Sequence, residues 1–160
     1  MKIYTLNLNL FWQCGIQMMC LISLCIPHGN AVAALEFFSM AENAVIMYNA
    51  PSLKADKLYV ASRYLPVESV VRVEGWTKVR DSSGALAWVE QRALSDKRFL
   101  IVTAIKADIY QASDLNSVLV FQAQQNVVLE WLESTANGWI KVRHQDGQSG
   151  YVRILQVWGS

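Results

Sequence analysis

The chain has 160 residues, 53% of them hydrophobic and 17% charged, with a formal net charge of +1. Fourteen basic residues against thirteen acidic ones leave a cationic excess of only one, which argues against general binding to nucleic acid or to an anionic membrane surface. Three cysteines and two histidines supply little material for thiol chemistry or zinc ligation.

Lys2 is the only charge before Glu36. Between them lie an apolar run from Gly15 to Ile26, then Pro27, then Asn30-Ala-Val-Ala33. A short basic start, an apolar centre and a small-x-small end are the layout of a secretory signal peptide, with cleavage expected after Ala33. An uncleaved anchor fits less well: the apolar part is shorter than the ~20 residues of a spanning helix, and no basic stop-transfer cluster follows it. Lipidation at Cys25 is disfavoured by Leu24, where a small residue is wanted. Removal of 1–33 takes away Cys14, Cys20 and Cys25, and loss of Lys2 balances the charge. The mature chain is therefore expected to be exported, periplasmic or secreted, without disulfides and without a membrane span.

After residue 35 the pattern is β throughout. Ala44–Tyr48 is a β-prone run closed by the turn cluster Asn49-Ala-Pro-Ser52, Leu58–Ala61 reads as a strand, and Val67–Val73 alternates like a half-buried one. A hairpin follows: Gly75–Arg80 out, Asp81-Ser-Ser-Gly84 turning, Ala85–Glu90 back, with Gln91–Leu94 as a closing 3₁₀ turn. Phe99–Ile105, Ala107–Tyr110, Val118–Phe121 and Val127–Leu132 then repeat the order before a second hairpin and Ile154–Val157.

The two hairpins are copies. Gly75-Trp-Thr-Lys-Val-Arg80 answers to Gly138-Trp-Ile-Lys-Val-Arg143, Gly84 to Gly147 and Val89 to Val152. An internal repeat at fixed spacing outranks any single motif in deciding architecture. Tyr48 to Tyr110 and Glu68 to Glu130 are both separated by 62 positions, but Trp76 to Trp139 by 63, which places one extra residue within Ser134–Gly138. Alternation puts Thr77 and Val79 on one face of the hairpin, with Trp76, Lys78 and Arg80 on the other; Ile140 and Val142 are the corresponding core positions. The join Ser95-Asp-Lys-Arg98 has neither Gly nor Pro, so the copies are expected to touch rather than swing freely.

The repeated Gly-Trp-x-Lys-Val-Arg-x-x-x-Gly-x-x-x-aromatic-Val resembles the bacterial Src-homology-3-like (SH3b) domain, as do Tyr48-x-x-Pro-Ser52 and Leu65-Pro-Val-Glu68. The resemblance covers roughly the whole mature chain as a tandem pair. It implies an all-β fold of two tandem small SH3-like β-barrels after an N-terminal signal peptide: 1–33 the signal, 36–96 the first domain, 97–160 the second. It also implies a non-catalytic binding or targeting module of the cell envelope, and many such modules accompany peptidoglycan hydrolases. Family members often carry Asn-x-Arg-x-Gly-Pro-Ser early in the domain. Here Tyr48 and Tyr110 stand near the Arg position, Ala50 and Ala112 replace the Gly, and the second copy lacks the Pro, so a ligand role of that Arg does not transfer.

Catalysis has few parts to draw on. His144, with Asp146 two residues on, is the sole histidine of the mature chain; a Ser-His-Asp reading through Ser82, Ser83 or Ser149 lacks a nucleophile elbow or oxyanion motif. No carboxylate pair stands out, no Gly-rich phosphate loop occurs, and no cofactor or metal is expected. The aromatic residues carry the binding reading, since barrels of this kind line grooves with rings. Tyr48 and Tyr110, at the mouth of a turn, are the first candidates for exposed ligand contacts, with Trp88 and Tyr151 second. Any chemistry is expected where the copies meet or beside Tyr48 and Tyr110. The expected partner is cell-wall peptidoglycan or an envelope protein; a structural or assembly protein that pairs with itself or another chain is the alternative, and the oligomeric state is left open.

Overall fold

The computed structural model describes residues 35–160, so the expected signal segment, its cleavage after Ala33 and its cysteines lie outside the described residues. The first copy comprises β1 (Glu36–Met40), β2 (Val45–Tyr48), β3 (Lys57–Ala61), β4 (Pro66–Val73), β5 (Trp76–Arg80), β6 (Leu86–Glu90), a 3₁₀ turn at Gln91–Ala93 and the short β7 (Leu94–Ser95). The second repeats them as β8 (Phe99–Val102), β9 (Lys106–Tyr110), β10 (Leu119–Gln124), β11 (Val128–Thr135), β12 (Trp139–Arg143), β13 (Ser149–Arg153), a 3₁₀ turn at Ile154–Gln156 and β14 (Val157–Trp158). Among the described residues the architecture is all-β.

Each copy builds one antiparallel sheet of seven strands. The orders β3-β2-β6-β5-β4-β1-β7 and β10-β9-β13-β12-β11-β8-β14 are the same order advanced by seven strands. Both long strands, β4 and β11, carry a bulge, between Ser69 and Val71 and between Trp131 and Glu133. A bulge adds local right-handed twist, which lets one strand serve two neighbours of a tightly curled sheet. The length difference between copies falls beside these strands. Val73 pairs with Trp76 across a two-residue turn, and Thr135 pairs with Trp139 across Ala136–Gly138. The extra residue thus sits in the turn, where no ladder bond depends on it.

The faces of the hairpins follow the alternation. Thr77 and Val79 are buried while Trp76, Lys78 and Arg80 are half-buried; Ile140 and Val142 are buried in the second copy, where Trp139 is buried too. Met40, Met47, Val67, Val79 and Val89 fill the first core, and Leu100, Ile109, Leu129, Ile140, Val142 and Val152 the second. Each fully buried aliphatic side chain is worth about 1.5–3 kcal/mol, and the described residues contain no cysteine to staple either core. The turns are set by local polar groups. The Asp81 carboxylate accepts from the Ser83 and Ala85 amides at 2.9 and 3.1 Å, and Gly84 takes φ 88 to close the loop. Asp146 accepts from the Gln148 amide at 2.9 Å beside Gly147 at φ 97. Positive φ at these turn ends is what selects glycine in both copies.

β1 was not expected from the sequence. Its residues Glu-Phe-Phe-Ser-Met do not alternate, because four of the five are buried, and Ser39 is satisfied by donating to the Lys97 carbonyl at 2.7 Å. That bond already reaches the join between copies. Residues 35–160 lie in one compact unit, and the copies touch, as the short join implies. Tyr64 stacks on Phe99 at 4.3 Å between centroids, and Phe37 meets Trp158 edge-on at 5.2 Å. The Arg98 guanidinium lies 5.4 Å from both the Phe37 and the Trp131 rings and donates to the Gly159 carbonyl at 2.7 Å.

Candidate ligand-binding site

Two places collect side chains suited to recognition. The first is the aromatic set expected from the sequence. β2 meets β6 at the single register pair Tyr48–Trp88, and β9 meets β13 at Tyr110–Tyr151. The four candidates are therefore brought together two by two, at equivalent points of the two copies. Their exposure differs from expectation. Tyr48 is only 5% exposed, because its ring packs edge-on against Trp76 at 5.3 Å. Tyr48 is thus a hairpin-packing residue rather than an exposed contact. Tyr110 makes the same contact with Trp139 at 5.8 Å but stays half-buried, as do Trp88 and Tyr151. Cations cover the neighbouring rings: Arg153 lies 5.2 Å from Trp139 and Lys141 lies 5.8 Å from Tyr151. Aromatic pairs of this geometry contribute about 0.5–1.5 kcal/mol beyond burial, which accounts for their recurrence as scaffold.

The second place is a cleft of about 580 Å³ where the copies meet. Arg63 and Tyr64 line it from the first copy, Lys97 from the join, and Phe99, Val127, Val128 and Glu130 from the second. The turn 143–147 closes it with Arg143, His144, Gln145 and Gly147. Sequence reasoning pointed to the meeting of the copies without naming these residues, because residues far apart in sequence converge there.

Its geometry is a layered stack beside an ion-pair cluster. Arg63 lies over the Tyr64 ring at 4.8 Å, Tyr64 stacks on Phe99 with 22° between planes, and Lys97 lies over Phe99 at 5.2 Å. Tyr64 holds φ 71, a left-handed conformation that costs a bulky residue about 1–2 kcal/mol. The equivalent turn of the second copy has Asn126 at φ 69, a residue suited to that region. The two amides make equivalent bonds, Tyr64 to the Met40 carbonyl and Asn126 to that of Val102. The turn does not ask for a tyrosine; the ring in the cleft is what distinguishes the first copy.

Glu130 accepts an ion pair from Lys97 at 3.0 Å and from Arg143 at 3.2 Å. Burial alone raises its carboxyl, but the hydrogen bonds and charges of Lys97 and Arg143 together outweigh burial, and the group is held below the ordinary carboxylate value. The cross-strand pair Glu130–Arg143 is the second copy's equivalent of Glu68–Arg80, in which Arg80 donates to both carboxylate oxygens at 3.1 and 3.2 Å. Both residues recur at the repeat spacing, so the pair was legible in the sequence once strand pairing was known. His144 Nδ1 lies 3.0 Å from Asp146. The turn's own hydrogen bond from the Gln148 amide, then His144, lowers the Asp146 carboxyl. Among the described residues no serine hydroxyl bonds to His144, no group of three or more potential ligands is placed to hold a metal ion, and no helix is long and apolar enough to cross a membrane.

Comparison with known proteins supports the repeat. Residues 41–96 and 106–159 each match the family described as Bacterial SH3 domain, together more than half of the chain. No curated protein shows significant similarity to the chain. Among solved structures, NlpC2 from Trichomonas vaginalis shares 15% identity at a TM-score of 0.37, covering 79% of this chain and 48% of its own. NlpC1 from the same organism shares 14% at 0.36, covering 79% and 46%. An NlpC/P60 family protein from Bacillus cereus ATCC 10987 shares 15% at 0.35, covering 76% and 55%. The chain spans about half the length of each of these structures. Domains of the matched family are typically cell-wall binding modules. With two copies of the same barrel in one chain, each matched separately, the protein belongs to the bacterial SH3 domain family as a tandem pair.

Proposed function

We propose that this chain is an exported, non-catalytic binding module of the cell envelope that engages a cell-wall peptide or glycan, or an envelope protein, in the cleft between its two copies. The observation that carries this reading is the pairing of Tyr64 and Phe99 across the join, flanked by Arg63 and Lys97. With the ring faces taken up by the stack, the half-buried Tyr64 offers its edge, and Arg63 and Lys97 offer donors. The wall of this concave junction includes Val127 and Val128, which completes the mixture of polar and apolar surface a peptide or glycan ligand requires. The half-buried Tyr110, Trp88 and Tyr151 are auxiliary contacts, and Tyr48 acts through the packing of Trp76. The domain limits 36–96 and 97–160, with the signal at 1–33, belong to the same proposal.

Co-sedimentation with isolated cell walls tests it. The protein is expected to pellet with the walls, and Tyr64→Ala together with Lys97→Ala to reduce the pelleted fraction severalfold. Equal retention of that double variant would remove the cleft from the site, and no retention of the native protein would remove the wall as partner.

A second reading is favoured by the outer strands. β3 and β10 end their sheets and expose Leu58 and Val60, and Leu119 and Val120, a template for pairing with another chain. Sedimentation velocity decides: a monomer over a wide concentration range sets aside self-association through these edges.

A further inference from the structure

We propose, resting on that reading of the cleft, that its ligand is recognised through a free carboxylate, the C-terminus of a peptide, with Arg63 as the cation that receives it. The charges of the two copies differ in one direction. At equivalent positions Leu35, Glu68, Arg80 and Asp81 of the first copy carry one cation against two carboxylates; Lys97, Glu130, Arg143 and His144 of the second carry two cations against one. The second set lines the cleft, and the first copy adds Arg63 to it. Lys97 and Arg143 are both engaged by Glu130. Arg63 has no carboxylate partner among the described residues, and its equivalent in the second copy is the uncharged Gln125. It rests on the Tyr64 ring, which limits the conformational freedom lost when an anion binds.

A chain whose mature charge is balanced thus concentrates unbalanced positive charge in one concave place. A planar guanidinium matches a carboxylate by two parallel hydrogen bonds. Val127 and Val128 on the same wall offer an apolar surface for the residue that bears the carboxylate. That apolar wall favours a singly charged peptide end over a strongly hydrated phosphate. Two other exposed arginines serve as a contrast, Arg92 being paired with Glu90 and Arg72 with Glu36 at 2.8 Å, while the exposed Lys54, Lys57 and Lys106 lie outside the cleft.

Titration of the full protein at low salt with acetyl-Ala-Ala, its C-terminal amide and inorganic phosphate tests the assignment. The free acid is expected to bind about tenfold or more tightly than the amide and more tightly than phosphate, with affinity falling as salt rises. Arg63→Gln, which installs the residue of the equivalent position, should weaken the acid by about five- to tenfold, while Arg92→Gln should leave it unchanged. Arg63 is exposed, so its replacement does not threaten the fold. Equal binding of acid and amide, an undiminished Arg63→Gln variant, the same loss in Arg92→Gln, or tighter binding of phosphate would each overturn the proposal. Wall sedimentation run in parallel separates the two ideas. Walls retained without binding of the acid leave the envelope reading and end this one; binding of the acid without wall retention does the reverse.

Discussion

Gly150 shows how one residue records the difference between two copies of a barrel. Its counterpart in the first copy, Ala87, is a buried core residue, yet a methyl group at 150 would meet the Tyr110 carbonyl oxygen at 2.6 Å and the Ile109 side chain at 2.7 Å. Backbone cannot retreat as a flexible side chain can. Gly150→Ala is expected to destabilise the chain by about 1–3 kcal/mol in denaturant unfolding, in the manner of an overpacked core. Glu130 allows a second prediction. Its folded carboxyl sits below the unfolded value, so its contribution to stability is fully present above the ordinary carboxylate pKa of about 4.3 and is lost as pH falls through the lower folded value. Glu130→Gln should therefore flatten the acid limb of the stability profile and change little at lower pH, where the native carboxyl is already protonated. Tyr48 marks where residue-level reading failed. A tyrosine beside a turn reads as exposed, but the edge-on contact with Trp76 depends on which strands pair, and single-residue chemistry carries no information about that.

At the scale of elements much more was legible. Alternation separated Thr77 and Val79 from Trp76, Lys78 and Arg80, and the burial of β5 follows it. The 3₁₀ turn at Gln91–Ala93 and the position of the extra residue in Ala136–Gly138 also agree with the pattern. β1 was missed because a strand buried on both faces does not alternate, and the two-residue strands β7 and β14 are too short to show any period. The turn offers its own test. Asn137 and Gly138 already hold φ 68 and φ 75, the conformations of a two-residue hairpin connection. Deleting Ala136 should leave Asn-Gly between Thr135 and Trp139, restore the turn length of the first copy and shift stability by less than about 1 kcal/mol, a surface-loop change. A loss of several kcal/mol on calorimetry would show that the longer turn is required by the barrel.

For the whole molecule, the join matters more than either barrel. Arg98 lies near one ring from each copy, and burial lowers its guanidinium, so removing it costs packing as well as charge. The copies should unfold in a single calorimetric transition; Arg98→Ala should lower stability by about 1–3 kcal/mol and separate that transition into two. The cleft belongs to this scale too. Arg63, Tyr64, Lys97 and Glu130 come together only when both copies are folded and touching, which is why the candidate site was out of reach of motif and spacing while the copies themselves were not.

The most direct test of the tandem cleft as the ligand site is amide shift mapping of the isotope-labelled protein during titration with solubilised cell-wall fragments. Shifts are expected to concentrate at residues 63–64, 97–99, 127–130 and 143–147, drawing on both copies at once. Shifts confined to one barrel, around Tyr110 and Tyr151 or along the edges β3 and β10, would contradict the account.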